Sequence, residues 1–340
     1  EPSAQNIELD PALTRYHSGP DGYNDILHYG VTDVPPGERY PAFTVNDTLE
    51  FLEETDGPWC AVASFSEPNE ALVVSRETFE KYDVDSIPLP ENLRDDFSGR
   101  PNLYKRQSQI AEAMTDDEWR MARACYFGRI TELDEQFGRL YEALESSGKL
   151  GDTTVIVTAD HGRYVGAHGF EAHNFGPFEE AYRVPMLVSA PGISGGKESG
   201  ALVGFHDLGP TILDLADAEK LHVQPDSVSF APTLTDPQNH VRSSLYAENH
   251  GTRFSMTQRI LWQGDWKFVF NGFDFDELYN LAEDPHEMKN LATDPAQQDR
   301  VRDMMAEVWR WIRETGDRSL NETHYLSMRM GVVGPNSAEN

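Results

Sequence analysis

Apolar side chains recur at alternating three- and four-residue spacing in two stretches of this chain. Ile130, Leu133, Phe137, Leu140 and Leu144 form one such line, which predicts a long helix from Asp116 to Ser147 with a single buried stripe. Thr115-Asp116-Asp117-Glu118 has the hydroxyl-to-carboxylate spacing of a capping box, and Gly148 stands where a helix stops. Val301, Met304, Met305, Val308 and Ile312 form the second line, predicting a helix opened by Asp294-Pro295 and running to Thr315. A shorter amphipathic helix is expected from Thr44, with Val45, Leu49 and Leu52 inward.

Continuous apolar runs predict strands. Thr153 to Thr158 (TTVIVT) is β-branched and apolar throughout, the mark of a strand covered on both faces. Val184 to Ser189 (VPMLVS) is a second, and Trp59 to Phe65 (WCAVASF) reads as a buried strand ahead of Pro68. Strand, long helix, strand, loop and strand imply an α/β class with a doubly wound, mostly parallel sheet flanked by helices. Ser243 to Ala247, Gln258 to Trp262 and Trp266 to Asn271 are shorter, with Gly264-Asp265 as one turn. They predict a smaller antiparallel sheet covered by the last helix. The expected division is a large α/β region over 1–235, a small α+β region over 236–320, and an irregular tail over 321–340. Residues 1–42 and 75–99, rich in glycine, proline and polar groups, read as loop.

Charge narrows the classes of partner. The 340 residues carry 58 acidic and 28 basic side chains, a net charge of −30, spread along the chain. Such a surface repels nucleic acid and anionic membranes, so neither partner is expected. No run approaches the ~18 apolar residues of a membrane span. The excess suits a chain kept hydrated in concentrated salt, where self-repulsion is screened. It also means that an anionic substrate needs local positive charge to enter. Cys60 and Cys125 have no framework spacing and read as two buried free thiols. The chain opens on Glu1 rather than Met, and the compartment cannot be read from it.

Asp160 and His161 follow the TTVIVT strand and precede Gly162. In a parallel sheet, ligands bind beyond the carboxyl ends of the strands. A carboxylate and an imidazole there can share one cation. The carboxylate suits Ca²⁺ or Mg²⁺, and the imidazole moves the preference toward Zn²⁺ or Mn²⁺. Taken alone, the pair reads equally as an Asp capping the next turn beside a surface His.

The surrounding sequence resembles the sulfatases of the alkaline phosphatase superfamily. The resemblance is carried by V-I-V-T-A-D-H-G-R-Y-V-G-A-H-G from Val155, E-E-A-Y-R-V-P-M-L-V-S-A-P-G from Glu179, and R-A-C-Y-F-G-R-I-T-E-L-D-E-Q-F-G-R-L from Arg123. F-H-D-L-G-P-T-I-L-D-L-A from Phe205 and the W-K-F-V-F-N and D-E-L-Y-N-L-A-E-D-P-H-E-M-K-N-L-A segments extend it to Ala292. The resemblance implies that a formylglycine, made from Cys or Ser in a C/S-x-P-x-R motif, attacks sulfur while one divalent cation, usually Ca²⁺, holds a sulfate oxygen. It implies two metal ligands at Asp160 and His161, and two more from an Asp-Asp pair at the start of the family's sheet.

That other pair and the nucleophile are not found here. Cys125-Tyr-Phe-Gly-Arg129 has Phe where Pro is required, and Cys60 has Ser64 where Arg is required. Asp95-Asp96 and Asp116-Asp117 follow no strand, and the family's Lys-x-His-x-Gly segment is missing. The expectation is therefore a piece of a longer enzyme, inactive by itself. Asn69 takes a position where many sulfatases have His, and could donate to an anionic oxygen but not supply a proton. Ala172-His173-Asn174-Phe175 stands where the family has a Lys. His173 is the candidate to replace that cation, holding an ester oxygen or protonating the leaving group, with Asn174 second. The alternative for His173 is a loop residue without a role. His168 reads either as a support behind the metal ligands or as an exposed residue, with exposure the expectation; His206 is expected to be structural and Asp207 a helix cap.

Three functions follow in order. The first is a sulfatase acting on a small-molecule or saccharide sulfate ester. The second is a phosphodiesterase or phosphonate-ester hydrolase of the same superfamily, and the third is a non-catalytic module that keeps the fold. The charge yields its own prediction: the midpoint of thermal unfolding should climb steeply between low salt and seawater ionic strength, and a flat profile over that range contradicts a halophilic design.

Overall fold

The computed structural model describes residues 7–17, 26–69, 71–173, 175–219, 226–251, 256–321, 331–334 and 337. They form two compact units. One comprises Glu1–Arg94, Ser108–Thr153 and Arg163–Ala172, and the other Asp95–Gln107, Thr154–Gly162 and His173–Asn340.

The first unit holds strands β1 (Arg15–His17) and β2 (Ile26–Thr32), helix α1 (Tyr40–Glu54), strand β3 (Leu72–Ser75) and helix α2 (Asp116–Ser146). The capping box of α2 is formed: Glu118 N–H donates to Thr115 Oγ1 at 3.2 Å and Thr115 N–H to Glu118 Oε2 at 2.8 Å. The sheet order is β1-β2-β3, with β1 antiparallel and β3 parallel to β2. Val31, Leu72 and Val74 pack with Trp119, Ala122 and Cys125 of α2. Gly128 lets helix and strand approach, since a Cβ there would stand 2.7 Å from Val74 Cγ2. Arg39 Nη1 meets Glu132 Oε2 at 2.5 Å in the interior, and Glu132 Oε1 also accepts Ser75 N–H at 2.8 Å. Removing one partner of such a pair costs about 3–5 kcal/mol, because the other charge stays buried alone.

Several expectations change here. Residues 1–42 and the edge of 75–99 contain β1, β2 and the end of β3, three- to seven-residue strands too short and too mixed in composition to stand out. WCAVASF forms no strand, and Val62 is 87% exposed. A buried strand needs ladder partners, and no described strand pairs with it. Leu133 and Leu144 of the expected stripe are buried, but Ile130 is exposed, and the buried line of α2 also runs through Trp119, Ala122, Cys125, Arg129, Glu132 and Gln136. Paired polar side chains occupy positions that an apolar count passes over. Cys60 is exposed and only Cys125 is buried, both free. His168 is fully buried rather than exposed.

The second unit begins with strand β4 (Val155–Thr158), the one-turn helix α3 (Glu179–Tyr182), strand β5 (Met186–Ser189) and helix α4 (Leu208–Leu215). β4 and β5 pair antiparallel, not parallel as the element order implied. Among the described residues, 159–185 hold no crossover helix beyond α3, so the chain returns from the end at which it left. The α/β class stands, and its one parallel pairing among the described residues is β2 with β3. Strands β6 (Leu245–Asn249), β7 (Gln258–Gln263), β8 (Trp266–Asn271) and β9 (Glu277–Asn280) make an antiparallel sheet in sequence order, the last of them unforeseen. Helix α5 (Gln298–Glu314) covers it, with Leu261, Phe268, Phe270 and Leu278 against Met304, Met305, Val308, Trp309 and Ile312. The opposite face carries Ile260, Trp262 and Val269, packed with Tyr182 and Leu202. Asp207 does not cap α4 by its side chain. Its buried carboxylate takes a two-pronged contact from Arg242 and the N–H groups of Gly204 and Val228.

No helix among the described residues is long and apolar enough to cross a membrane. Phe268 is fully buried between sheet and helix, so Phe268→Ala should lose about 3–5 kcal/mol in denaturant titration. A loss below about 1 kcal/mol would mean that α5 does not close that face.

Candidate functional site

β4 ends at Thr158, and Asp160 and His161 follow at its carboxyl end. Asp160 Oδ1 accepts the His161 N–H at 2.9 Å, which turns the carboxylate back over the imidazole. His161 Nδ1 lies 3.0 Å from the Gly162 carbonyl oxygen. A carbonyl only accepts, so Nδ1 carries the hydrogen and Nε2 is left with its lone pair in the neutral ring. That Nε2 stands 3.8 Å from Asp160 Oδ2. Two lone-pair atoms therefore face each other across a gap that one cation can span, since Ca–O and metal–N bonds of roughly 2.1–2.5 Å together reach beyond it. The backbone carbonyl behind Nδ1 is the kind of partner that fixes a ligating histidine's tautomer. The Asp160 side chain is 80% exposed and open to incoming groups. The pair fits two ligands of one divalent cation. Among the described residues no group of three or more His, Cys, Asp or Glu side chains gathers as a metal site.

Gly162 is fixed on both sides. Its N–H donates to the Ala181 carbonyl at 2.9 Å, and a Cβ at this position would collide with the carbonyl oxygen of Glu180. Only glycine lets the Asp-His turn lie this close to α3.

His173 is brought to the pair. Its ring stacks on His161 with centroids 4.3 Å apart and planes 4° from parallel. The loop that carries it is anchored two and five residues on, where Phe175 and Phe178 pack on Tyr104 at 6.0 and 5.2 Å. Asn174 lies outside the described residues. Asn69 belongs to the first unit. Its Oδ1 accepts from Arg163 Nη1 at 3.2 Å, and in the same turn Glu67 meets Arg129 at 3.3 Å. Burial pushes the Arg129 guanidinium down to about 10, against the pull of Glu67. Arg163 was not singled out from the sequence. Its place right after Asp160-His161-Gly162, in a chain this acidic, was the available signal. His206 lies 3.5 Å from Asp207, in keeping with a structural role.

Comparison with known proteins finds relatives along most of the chain. The sulfatase family model matches residues 7–218, and the model of the N-sulphoglucosamine sulphohydrolase C-terminal region matches 166–314. Choline-sulfatase of Rhizobium meliloti is 30% identical over 338 residues, covering 90% of this chain and 64% of its own length. An arylsulfatase of Clostridium perfringens is 28% identical over 308 residues, covering 87% of this chain and 60% of its own length. The chain thus spans less than two thirds of either relative. The phosphonate monoester hydrolase of Agrobacterium radiobacter superposes with a TM-score of 0.73 at 25% identity, over 83% of this chain and 62% of its own. A protein solved with its substrate D-glucosamine-2-N,6-O-disulfate superposes with a TM-score of 0.74 at 20% identity, over 87% of this chain and 72% of its own. Matched along most of its length in sequence and in fold, the chain belongs to the sulfatase family of the alkaline phosphatase superfamily.

Proposed function

We propose that the protein containing this chain is a metal-dependent hydrolase of sulfate esters, with Asp160 and His161 as two ligands of one divalent cation. The convergence of Asp160 Oδ2 and His161 Nε2 at 3.8 Å carries the reading. The Asp-Asp pair that the family resemblance implies for the rest of the site would favour Ca²⁺, with Mg²⁺, Mn²⁺ and Zn²⁺ as alternatives. When bound, the cation supplies Lewis-acid polarisation and charge neutralisation at a sulfate oxygen. The formylglycine nucleophile and the remaining ligands come from sequence outside these residues, so the isolated chain is proposed to be inactive.

The residues present divide the remaining work. Asp160 brings a full negative charge to the cation, and His161 brings a neutral donor whose tautomer the Gly162 carbonyl sets. His173, stacked on His161, is placed to hold an ester oxygen or to protonate the leaving group. Asn69 is the proposed donor to an anionic substrate oxygen, and Asn174 a further substrate contact. A saccharide or other small-molecule sulfate ester is the proposed substrate class. The choline-sulfatase likeness and the neighbour solved with a disulfated glucosamine support it. A phosphonate-ester hydrolase is the second reading, favoured by the fold match to the Agrobacterium enzyme.

Four outcomes test this. The whole protein should hydrolyse an aryl sulfate faster than an aryl phosphonate monoester, and the reverse order moves the assignment to the second reading. Chelation should abolish turnover and added Ca²⁺ restore it. Asp160→Ala should lower kcat/KM at least ~100-fold, the scale expected on losing a ligand's share of transition-state charge stabilisation. Residues 1–340 alone should show no turnover, and measurable hydrolysis by them would overturn the split-site account.

A further inference from the structure

Helix α3 has only one turn and cannot hold itself in water, because helix nucleation is unfavourable at that length. Its first residue is instead clamped from the C-terminal sheet. Lys267 Nζ on β8 donates to Glu179 Oε1 at 3.0 Å and meets Glu287 Oε1 at 2.7 Å. Trp262 Nε1 on β7 donates to the same Glu179 oxygen at 2.8 Å. The Glu179 backbone N–H donates to Glu287 Oε2 at 2.7 Å. Side chain and main chain of Glu179 are therefore both fixed, by groups that are themselves immobile. Lys267 and Glu287 are fully buried, and the Lys267 ammonium also stands 5.2 Å over the Trp262 ring.

Glu287 is held at some expense. It sits at φ 51°, a left-handed conformation that non-glycine residues rarely adopt. Arg100 Nη1 donates to its carbonyl at 2.8 Å, and the Asp284 carboxylate accepts the next two N–H groups, of Met288 and Lys289, at 3.0 and 2.8 Å. Burial pushes the Glu287 carboxyl up, with Lys267 opposing and Glu179 adding to the rise. Burial alone would discharge Lys267, but the two carboxylates outweigh it and keep it charged. Strain and burial on this scale persist only where surrounding structure over-determines them, and they gather at functional sites.

What the clamp holds leads back to Asp160 and His161. Two residues beyond Glu179, the Ala181 carbonyl accepts the Gly162 N–H, and the Glu180 carbonyl closes on the Gly162 Cα. The Gly162 carbonyl in turn accepts from His161 Nδ1. The links run from Lys267 to Glu179, along α3 to Ala181, to Gly162, and to the His161 ring. We propose that Lys267, with Glu179 and Glu287, is a positioning cluster that sets the orientation and tautomer of His161 from the C-terminal sheet. The inference rests on the metal reading of Asp160 and His161 for its functional meaning, while the linkage itself is mechanical.

Amide hydrogen exchange and imidazole ¹⁵N shifts, measured without metal, test it. Glu179→Ala removes the clamped carboxylate and leaves Lys267 and Glu287 as a balanced pair, so the fold should survive. The Gly162 amide should then exchange at least ~10-fold faster by local opening, with amides of α5 unchanged. The His161 ring should shift from one tautomer toward a mixture. Glu179→Gln keeps the Trp262 bond and should give a smaller change of the same sign, which keeps the proposal decidable if the alanine variant does not fold. Phe268→Ala, destabilised in the same unit but outside the cluster, should leave Gly162 local opening and the His161 tautomer as in the parent. Folded Glu179 variants with parental Gly162 exchange and His161 shifts overturn the proposal. Because no metal is present, that result leaves the metal reading intact, and a failure of metal binding in the parent leaves the linkage intact.

Discussion

One buried ammonium, that of Lys267, organises the second unit. Moving such a charge out of water costs several kcal/mol even after relaxation, and the cost is met only if its partners are close and well placed. Here two carboxylates and the face of Trp262 surround it. Without it, Glu179 and Glu287 would be like charges facing each other in the interior. The requirement is reciprocal: β8 cannot bury its lysine unless α3 and the 284–287 turn are in place, and neither of those short segments is stable alone. A shared charge thereby ties a four-stranded sheet to the turn that presents Asp160 and His161.

The local parts of this were legible in the sequence. The capping box at Thr115 and the stripe of α5 depend on residues within a turn or two of each other, and both were found where spacing placed them. Adjacency in the chain likewise puts Asp160 and His161 together at one strand end, where the sequence expected them. What depends on distant residues was not. β2 and β3 are short, and only their parallel pairing identifies them as strands. WCAVASF has the composition of a buried strand and lacks one among the described pairings. Lys267, 88 positions from Glu179, leaves no periodic trace. Nor does His168, buried although its surroundings read as a loop.

The acidity of the chain bears on the proposed substrate. With a net charge of −30, the approach of a sulfate ester is opposed at long range unless salt screens it or positive groups stand near the site. Within the first unit, Arg163 and Arg129 bring positive charge to the Asn69 turn. The fold leaves the choice among esters open, because a 2-O GAG sulfatase and a phosphonate monoester hydrolase superpose on this chain with TM-scores of 0.70 and 0.73. Discrimination between them rests with the nucleophile and the groups about the leaving oxygen, so the role proposed for His173 bears on the choice more than the sheet order does.

Asp160 and His161 are proposed to bind a divalent cation in preference to the many other carboxylates of this acidic chain. Titration of the ¹⁵N-labelled chain with Mn²⁺ in moderate salt tests it directly, because paramagnetic broadening falls steeply with distance. The account predicts that the His161 ring and Gly162 amide signals vanish at the lowest Mn²⁺ concentrations, ahead of other histidines except the stacked His173. It also predicts that Asp160→Ala removes this selectivity. Broadening that spreads evenly over the acidic surface, with His161 no more sensitive than His206 or His250, would contradict it.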